Sequence, residues 1–328
     1  MARLHLALAG CITLGAFGAA AQTYTITDLG TLGGGYSAAN AIGGWGQVVG
    51  QSETTDNEYH AFVYSGRSIT DLGAFGGVQS SAVAINSASQ VAGYYYDHGY
   101  KAFLFSDGKL TDLGNLGANY SAAYAINSAG QVVGSSRTKE KMEHAFLYSD
   151  GVMRDLGTLG GTMSTARGIN ARGQITGYAY DPDWNFKAFL WENGKMSDIG
   201  TLGGDWSVAN AINDLGQIVG QAYLSENMKA HAFLYSGGQM HDLGELGGSY
   251  SIALALNSTG TEIVGYATLR GGSDHAFLYS KGRMRDLNGM VSARGWVLNV
   301  ASGIDDTGQI VGYGTLHGEQ HAFLLTPR

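Results

Sequence analysis

The run His144-Ala-Phe-Leu-Tyr-Ser149, Asp150-Gly151, Val152-Met-Arg-Asp155-Leu-Gly157 reads as a β-hairpin. Two short stretches rich in strand-forming residues flank an Asp-Gly pair, which fits a type I′ turn. A two-residue turn fixes the register, so Tyr148 faces Met153 and Phe146 faces Asp155. One face of the hairpin then carries His, Phe, Tyr, Met and Asp, and the other carries Ala, Leu and Leu. Both faces hold apolar residues, so the sheet is expected to be covered on both sides.

The same hairpin recurs along the chain. From a His or Lys to the next Asp is always eleven residues: His60 to Asp71, Lys101 to Asp112, His144 to Asp155, Lys187 to Asp198, His231 to Asp242 and His275 to Asp286. With Asp28, these aspartates open seven copies of one unit, spaced by 43, 41, 43, 43, 44 and 44 residues. Such a period marks a repeat architecture. Each unit holds four strand-like runs, a to d. In the third copy they are Ser121–Asn127, Gln131–Ser135, His144–Ser149 and Val152–Gly157, separated by turn residues. Four-stranded units covered on both faces predict an all-β fold, a seven-bladed β-propeller. The last copy reaches His321-Ala-Phe-Leu-Leu325 without a strand d, whereas Tyr24-Thr-Ile-Thr-Asp28-Leu-Gly30 is a strand d without a unit. Pairing the two completes the last blade, with Ile26 opposite Leu325 and Asp28 opposite Phe323. A linear solenoid would need atypical capping repeats, and none is visible.

Residues 22–328 are therefore expected to form one domain. Residues 1–21 read as a signal peptide: Arg3, an apolar stretch from Leu4 to Phe17, and Ala19-Ala20-Ala21 as the cleavage site. This predicts a secreted or periplasmic protein. Leu8-Ala9-Gly10-Cys11 resembles a lipoprotein box, but the apolar run before Cys11 is very short and apolar residues continue after it. No membrane span is expected. Cys11 is the only cysteine, so the mature chain has no disulfide and depends on a large core. The chain carries 52 Gly but 2 Pro, and the glycines recur at fixed turn positions, which argues against disorder. A net charge of −8 disfavours nucleic acid as a partner.

The recurring His and Asp are tempting as metal or catalytic groups. Spread one pair per blade, they cannot converge on one site. The pairs His60–Asp71, Lys101–Asp112, His144–Asp155, Lys187–Asp198, His231–Asp242, His275–Asp286 and His321–Asp28 are instead expected to be structural cross-strand ion pairs. The repeated Asn of the a–b turn is expected to bond the turn backbone. Less regular residues are better ligand candidates. Tyr36, Tyr120, Trp206 and Tyr250 stand at the start of strand a, and Tyr96, Tyr180 and Trp184 in or beside the b–c loops. Both groups fall on the face where the b–c and d–a loops emerge, and variable loops on a rigid frame usually carry binding. Aromatic planes beside carboxylates suit sugars and peptides. Asp181-Pro-Asp183 carries only a weak calcium signal, and no metal or cofactor is expected. No hydrolase, zincin, Walker or dinucleotide motif is present.

The combination of Ala-Ile-Asn, Gly-Gln-Val-Val-Gly, His-Ala-Phe-Leu and Asp-Leu-Gly-Thr-Leu-Gly-Gly resembles the bacterial HAF-repeat family over residues 24 to 328. The resemblance implies an exported or extracellular bacterial protein and assigns no catalytic residue. This chain departs from the pattern at Lys101, Lys187, Gly43 and Asn288. The expected function is a monomeric binding propeller for an extracellular glycan or protein. A hydrolase or lyase acting on an extracellular polymer is the alternative, and a purely structural surface protein is the third reading.

Overall fold

A computed structural model describes residues 22–225 and 228–328. The signal-peptide and Cys11 assignments lie outside the described residues. The described chain is all-β apart from one short 3-10 turn, Leu287–Met290. In the first copy, strand a is Gly33–Ile42, b is Val48–Thr54, c is Tyr59–Ser65 and d is Ser68–Gly73. They pair antiparallel in that order. The third copy repeats this with Gly117–Ile126, Val132–Thr138, Glu143–Ser149 and Val152–Asp155. In the last copy, Trp296–Ile304, Ile310–Leu316 and Glu319–Pro327 pair likewise, and their fourth partner is Tyr24–Asp28. Ile26 lies opposite Leu325 and Asp28 opposite Phe323.

The hairpin turns explain the c–d register. Asp107-Gly108, Asp150-Gly151, Asn193-Gly194 and Gly237-Gly238 all have positive φ at both positions, and so do Gly66-Arg67 and Lys281-Gly282. That is the type I′ geometry whose twist matches the strands. Tyr148 faces Met153 and Phe146 faces Asp155.

The core lies between successive copies. The Phe of each His/Lys-Ala-Phe is fully buried: Phe62, Phe103, Phe146, Phe189, Phe233, Phe277 and Phe323. Each contributes about 2–3 kcal/mol of burial. The neighbouring strand b must approach closely, and this explains its glycine. A Cβ on Gly134 would run into the Ala122 carbonyl oxygen.

A repeated serine stitches six of the seven copies to the one before. Ser121 Oγ accepts from Ala102 N at 3.0 Å and donates to Gly114 O at 2.7 Å. Ser37 accepts from Ala322 N at 2.9 Å and so joins the last copy to the first. At the a–b turns, Asn127 Nδ2 donates to Asn170 O at 3.0 Å and to Gln131 Oε1 at 2.7 Å. Its Oδ1 accepts from the N–H groups of Ala129 and Gln131. Asn86 and Asn170 repeat the pattern, and Asn213 repeats it with a longer bond to Asn257 O. The turn Asn therefore bridges copies as well as closing its own turn.

The aspartate of each copy has a common task. Its Oδ1 accepts from the N–H two residues on, as in Asp112 to Gly114 at 2.8 Å and Asp198 to Gly200 at 2.7 Å. In five copies a histidine Nδ1 adds to it: His60–Asp71 at 2.9 Å, His144–Asp155 at 2.8 Å, His231–Asp242 at 3.0 Å, His275–Asp286 at 2.7 Å and His321–Asp28 at 3.0 Å. The two lysines depart from the expected pairing. Lys101 Nζ sits on Asp97 at 2.6 Å, because the b–c loop of that copy is short and brings the carboxylate beside it. Asp112 takes a bond from Tyr95 OH instead. Lys187 extends past Asp198 to the Asp205 carbonyl, at 2.8 Å. The long lysine stem finds acceptors that an imidazole cannot reach.

Candidate functional site

Strand a carries a register shift at the same place in every copy, for example between Ala39 and Ala41 and between Ala166 and Gly168. A β-bulge re-aims the extra side chain. The bulged residues are Asn40, Val83, Tyr124, Arg167, Asn210, Leu254 and Ser302, and together they line one cavity of about 500 Å³. Gln51, Ser81 and Tyr94 complete its polar lining, which holds no Asp or Glu. Strand a also varies at its entry, but the bulge position ranges over Asn, Val, Tyr, Arg, Leu and Ser while the residue before it is always Ala and the residue after it Ala or Gly, and that was the signal available in the sequence. Sequence reasoning missed it, because one variable residue among alanines reads as solvent-facing until the copies are assembled around a common centre.

Four of the bulged side chains bridge to the next copy, three of them to its backbone. Asn40 Nδ2 donates to Ala82 O at 2.8 Å, Asn210 Nδ2 to Ala253 O at 2.9 Å, and Ser302 Oγ to Ala39 O at 2.7 Å. Arg167 Nη1 donates to Asn210 Oδ1 at 3.1 Å, with the guanidinium 5.2 Å from the centre of the Tyr178 ring. Burial raises the pKa of Tyr124 and of Tyr94, so both phenols stay neutral.

The expected ligand residues separate into clusters. Tyr36 meets Tyr59 edge-on at 5.3 Å, and its hydroxyl accepts from Gln51. Tyr120 joins Tyr96 through Tyr100, with ring centres 6.1 and 5.2 Å apart. Its hydroxyl lies 3.5 Å from that of Tyr124, and the Arg137 guanidinium covers its ring at 5.1 Å. Tyr36, Tyr59, Gln79, Tyr94 and Tyr100 line a second cavity of about 320 Å³. In the fourth and fifth copies, Tyr180 stacks on Phe186 at 4.3 Å and Trp206 lies 5.2 Å from Tyr223. Trp184 tilts against Tyr180 at 5.7 Å and is 67% exposed. Tyr250 stands apart, beside Tyr266. Asp181, the calcium candidate, has its Oδ1 committed to the N–H groups of Asp183 and Asn185. Among the described residues no cluster of three His, Cys, Asp or Glu is placed to hold a metal ion, and no helix is long and apolar enough to cross a membrane.

No protein-family model matches the sequence, and no curated protein matches it. Solved structures do match the fold. The WD40 β-propeller domain of Doa1 is similar with a TM-score of 0.52 at 13% identity, over 91% of this chain and 96% of that one. TolB from Acinetobacter baumannii gives 0.53 at 10% identity, over 86% of this chain and 63% of that one. A puromycin-hydrolyzing peptidase from Mycobacterium tuberculosis gives 0.56 at 15% identity, over 85% of this chain and 50% of that one. This chain thus spans less than two thirds of the TolB and peptidase chains. The fold is that of a β-propeller. At such identities the likeness extends to the fold alone.

Proposed function

We propose that the chain is an exported HAF-repeat propeller of seven four-stranded blades that binds an extracellular glycan through its b–c and d–a loop face. The runs of four antiparallel strands support the blade count. The pairing of Tyr24–Asp28 with Glu319–Pro327 and the bonds from the last copy to Ser37 and Ala39 support closure of the ring. In this arrangement the bulged residues of the a strands surround the propeller axis.

The observation that carries the binding reading is Trp184. Its indole is largely exposed and tilts against Tyr180, on which Phe186 stacks. An exposed tryptophan beside the stacked Tyr180 and Phe186 presents flat rings to the C–H face of a sugar. A glycoside hydrolase needs paired carboxylates, and the cavity of bulged residues offers none; Asp214, Asp305 and Asp306 line another cavity, at the a–b turns.

A glycan and peptide array tests the reading, run with the mature protein and the Trp184→Ala/Trp206→Ala variant. Glycan binding lost in a folded variant is the expected result. Peptide binding alone would move the ligand to a protein. Absence of binding, with turnover of a polymer, would favour the hydrolase.

A further inference from the structure

The axial cavity has a charge of one sign. Arg167 is the only cationic side chain in its lining, and the lining holds no carboxylate. This is unusual placement in a chain of net charge −8. Among the described residues no Asp or Glu pairs with Arg167, whose contacts are Asn210 Oδ1 at 3.1 Å and the Tyr178 ring. A guanidinium has five N–H donors in a planar fork, and one of them is spent on Asn210. The two contacts hold the group in place from one side and from one face.

We infer that the axial cavity is a binding site for a sugar acid, with the ligand carboxylate on the Arg167 guanidinium. The planar fork matches the two oxygens of a carboxylate. One cation with no second beside it matches a single negative charge better than a phosphate dianion. The remaining lining fits the rest of such a ligand. Asn40 and Asn210 have their amide nitrogens fixed on backbone carbonyls, so their side chains are oriented before any ligand arrives. Tyr124 and Tyr94 supply neutral hydroxyls that both donate and accept. Val83 and Leu254 supply apolar wall for C–H groups. A volume of about 500 Å³ accommodates a monosaccharide acid with its ordered water. The inference goes beyond the loop-face reading: it adds a separate site in the axial cavity and shares with that reading only the sugar nature of the ligand.

The test is titration of the mature protein with glucuronate and with glucose at low ionic strength, followed by calorimetry and by the Arg167 side-chain N–H resonance. Glucuronate is expected to bind at least about tenfold more tightly than glucose, the worth of a charge-assisted bidentate contact. Added salt weakens it. R167Q is expected to abolish the preference and R167K to retain part of it, with melting temperatures showing both folded. Equal binding of the two sugars, or a glucuronate preference that survives R167Q, overturns the inference. Glucuronate failing to bind while array glycans still bind through Trp184 and Trp206 overturns it too, and leaves the glycan-binding reading standing. The comparison of the two sugars on the unmodified protein decides the matter even if a variant fails to fold.

Discussion

Two positions three residues apart, the bulge of strand a and the a–b turn that follows it, belong to the same repeat and are used in opposite ways. At the turn, Asn86, Asn127, Asn170 and Asn213 make the same bonds to their own turn, to the repeated Gln and to the next turn. At the bulge, the side chain differs in nearly every copy. Uniform chemistry at the turn ties successive copies together with one set of bonds. Varied chemistry at the bulge gives a site that no single copy contains. The bulge allows this, because the extra residue is outside the ladder and its replacement costs no pairing.

Removal of residues 22–30 is the harshest test of the scaffold side of this comparison. It takes away the partner of Glu319–Pro327 together with the buried Tyr24 and Leu29. The two side chains alone represent several kcal/mol. The expected result is a melting temperature lower by about 10 °C or more, or loss of a cooperative transition. An unchanged melting curve would rule out the ring closure.

The next test sets the turn and the bulge against each other. Asn127→Ala removes the bonds to Asn170, Gln131 and Ala129 from a buried position and is expected to cost about 2–4 kcal/mol. Val83→Asn copies the residue that the first copy already carries at its bulge and is expected to cost less than about 0.5 kcal/mol. Urea denaturation measures both. Similar costs would erase the distinction between a structural turn and a free bulge.

Much of the scaffold side was legible in the sequence, and the reason is local. Asp150-Gly151 admits one turn type, that turn admits one register, and counting eleven residues then pairs His with Asp without any knowledge of the fold. The exceptions, Lys101 and Lys187, depend on partners supplied by a b–c loop and by the next copy, which counting along one hairpin cannot reveal. The Gln of strand b had no evident partner for the same reason: its partner is the turn Asn, reached only once the turn has closed. The axial residues were the least legible. Asn40 and Ser302 lie far apart in sequence and share a cavity only because every copy packs on its neighbours. The aromatic candidates could be picked out in the sequence, but not their division between a cluster around Tyr100 and one around Phe186.

A smaller effect separates the His–Asp contacts from the aspartate's turn bond. The hydrogen bond that His231 donates to Asp242 raises the His231 pKa above the usual 6.5, against the lowering effect of burial. Burial pushes Asp242 up, but the bonds from His231 and from Gly244 N–H outweigh it and hold the carboxyl below its usual 3.8. The histidine's contribution is whole below about pH 6.5 and disappears as pH rises through its raised folded value. The aspartate's is present above about pH 4 and disappears as pH falls through its lowered folded value. The pair therefore contributes most between these limits, by roughly 1 kcal/mol for a contact with one partner open to water. His231→Gln is expected to destabilise at pH 5.5 and to have much less effect at pH 9. Parallel pH–stability curves for the two proteins would remove the ion pair from the account.

The smallest expected change in stability falls where the largest change in binding is expected. The b–c loops place a left-handed residue at one position in several copies: Asn57, His98, Lys141, Trp184, Gly272 and His317, with φ between +52° and +87°. Of these six residues only that of the sixth copy is glycine. Tryptophan is a costly choice here, because its Cβ crowds the backbone and, unlike Asn or His, it is rarely found in that conformation. Trp184→Gly relieves that crowding and removes an indole that is mostly in water, against which stands the greater freedom of glycine in the unfolded chain. The net expectation is a change within about 0.5 kcal/mol, of either sign, together with loss of glycan binding on the array. Trp184→Asn separates the two effects, since Asn tolerates positive φ without adding that freedom, and it is expected to be the more stable of the two variants. Marked destabilisation by both would mean that the indole holds the loop against Tyr180, and the exposed ring would then be explained by packing instead of by a ligand.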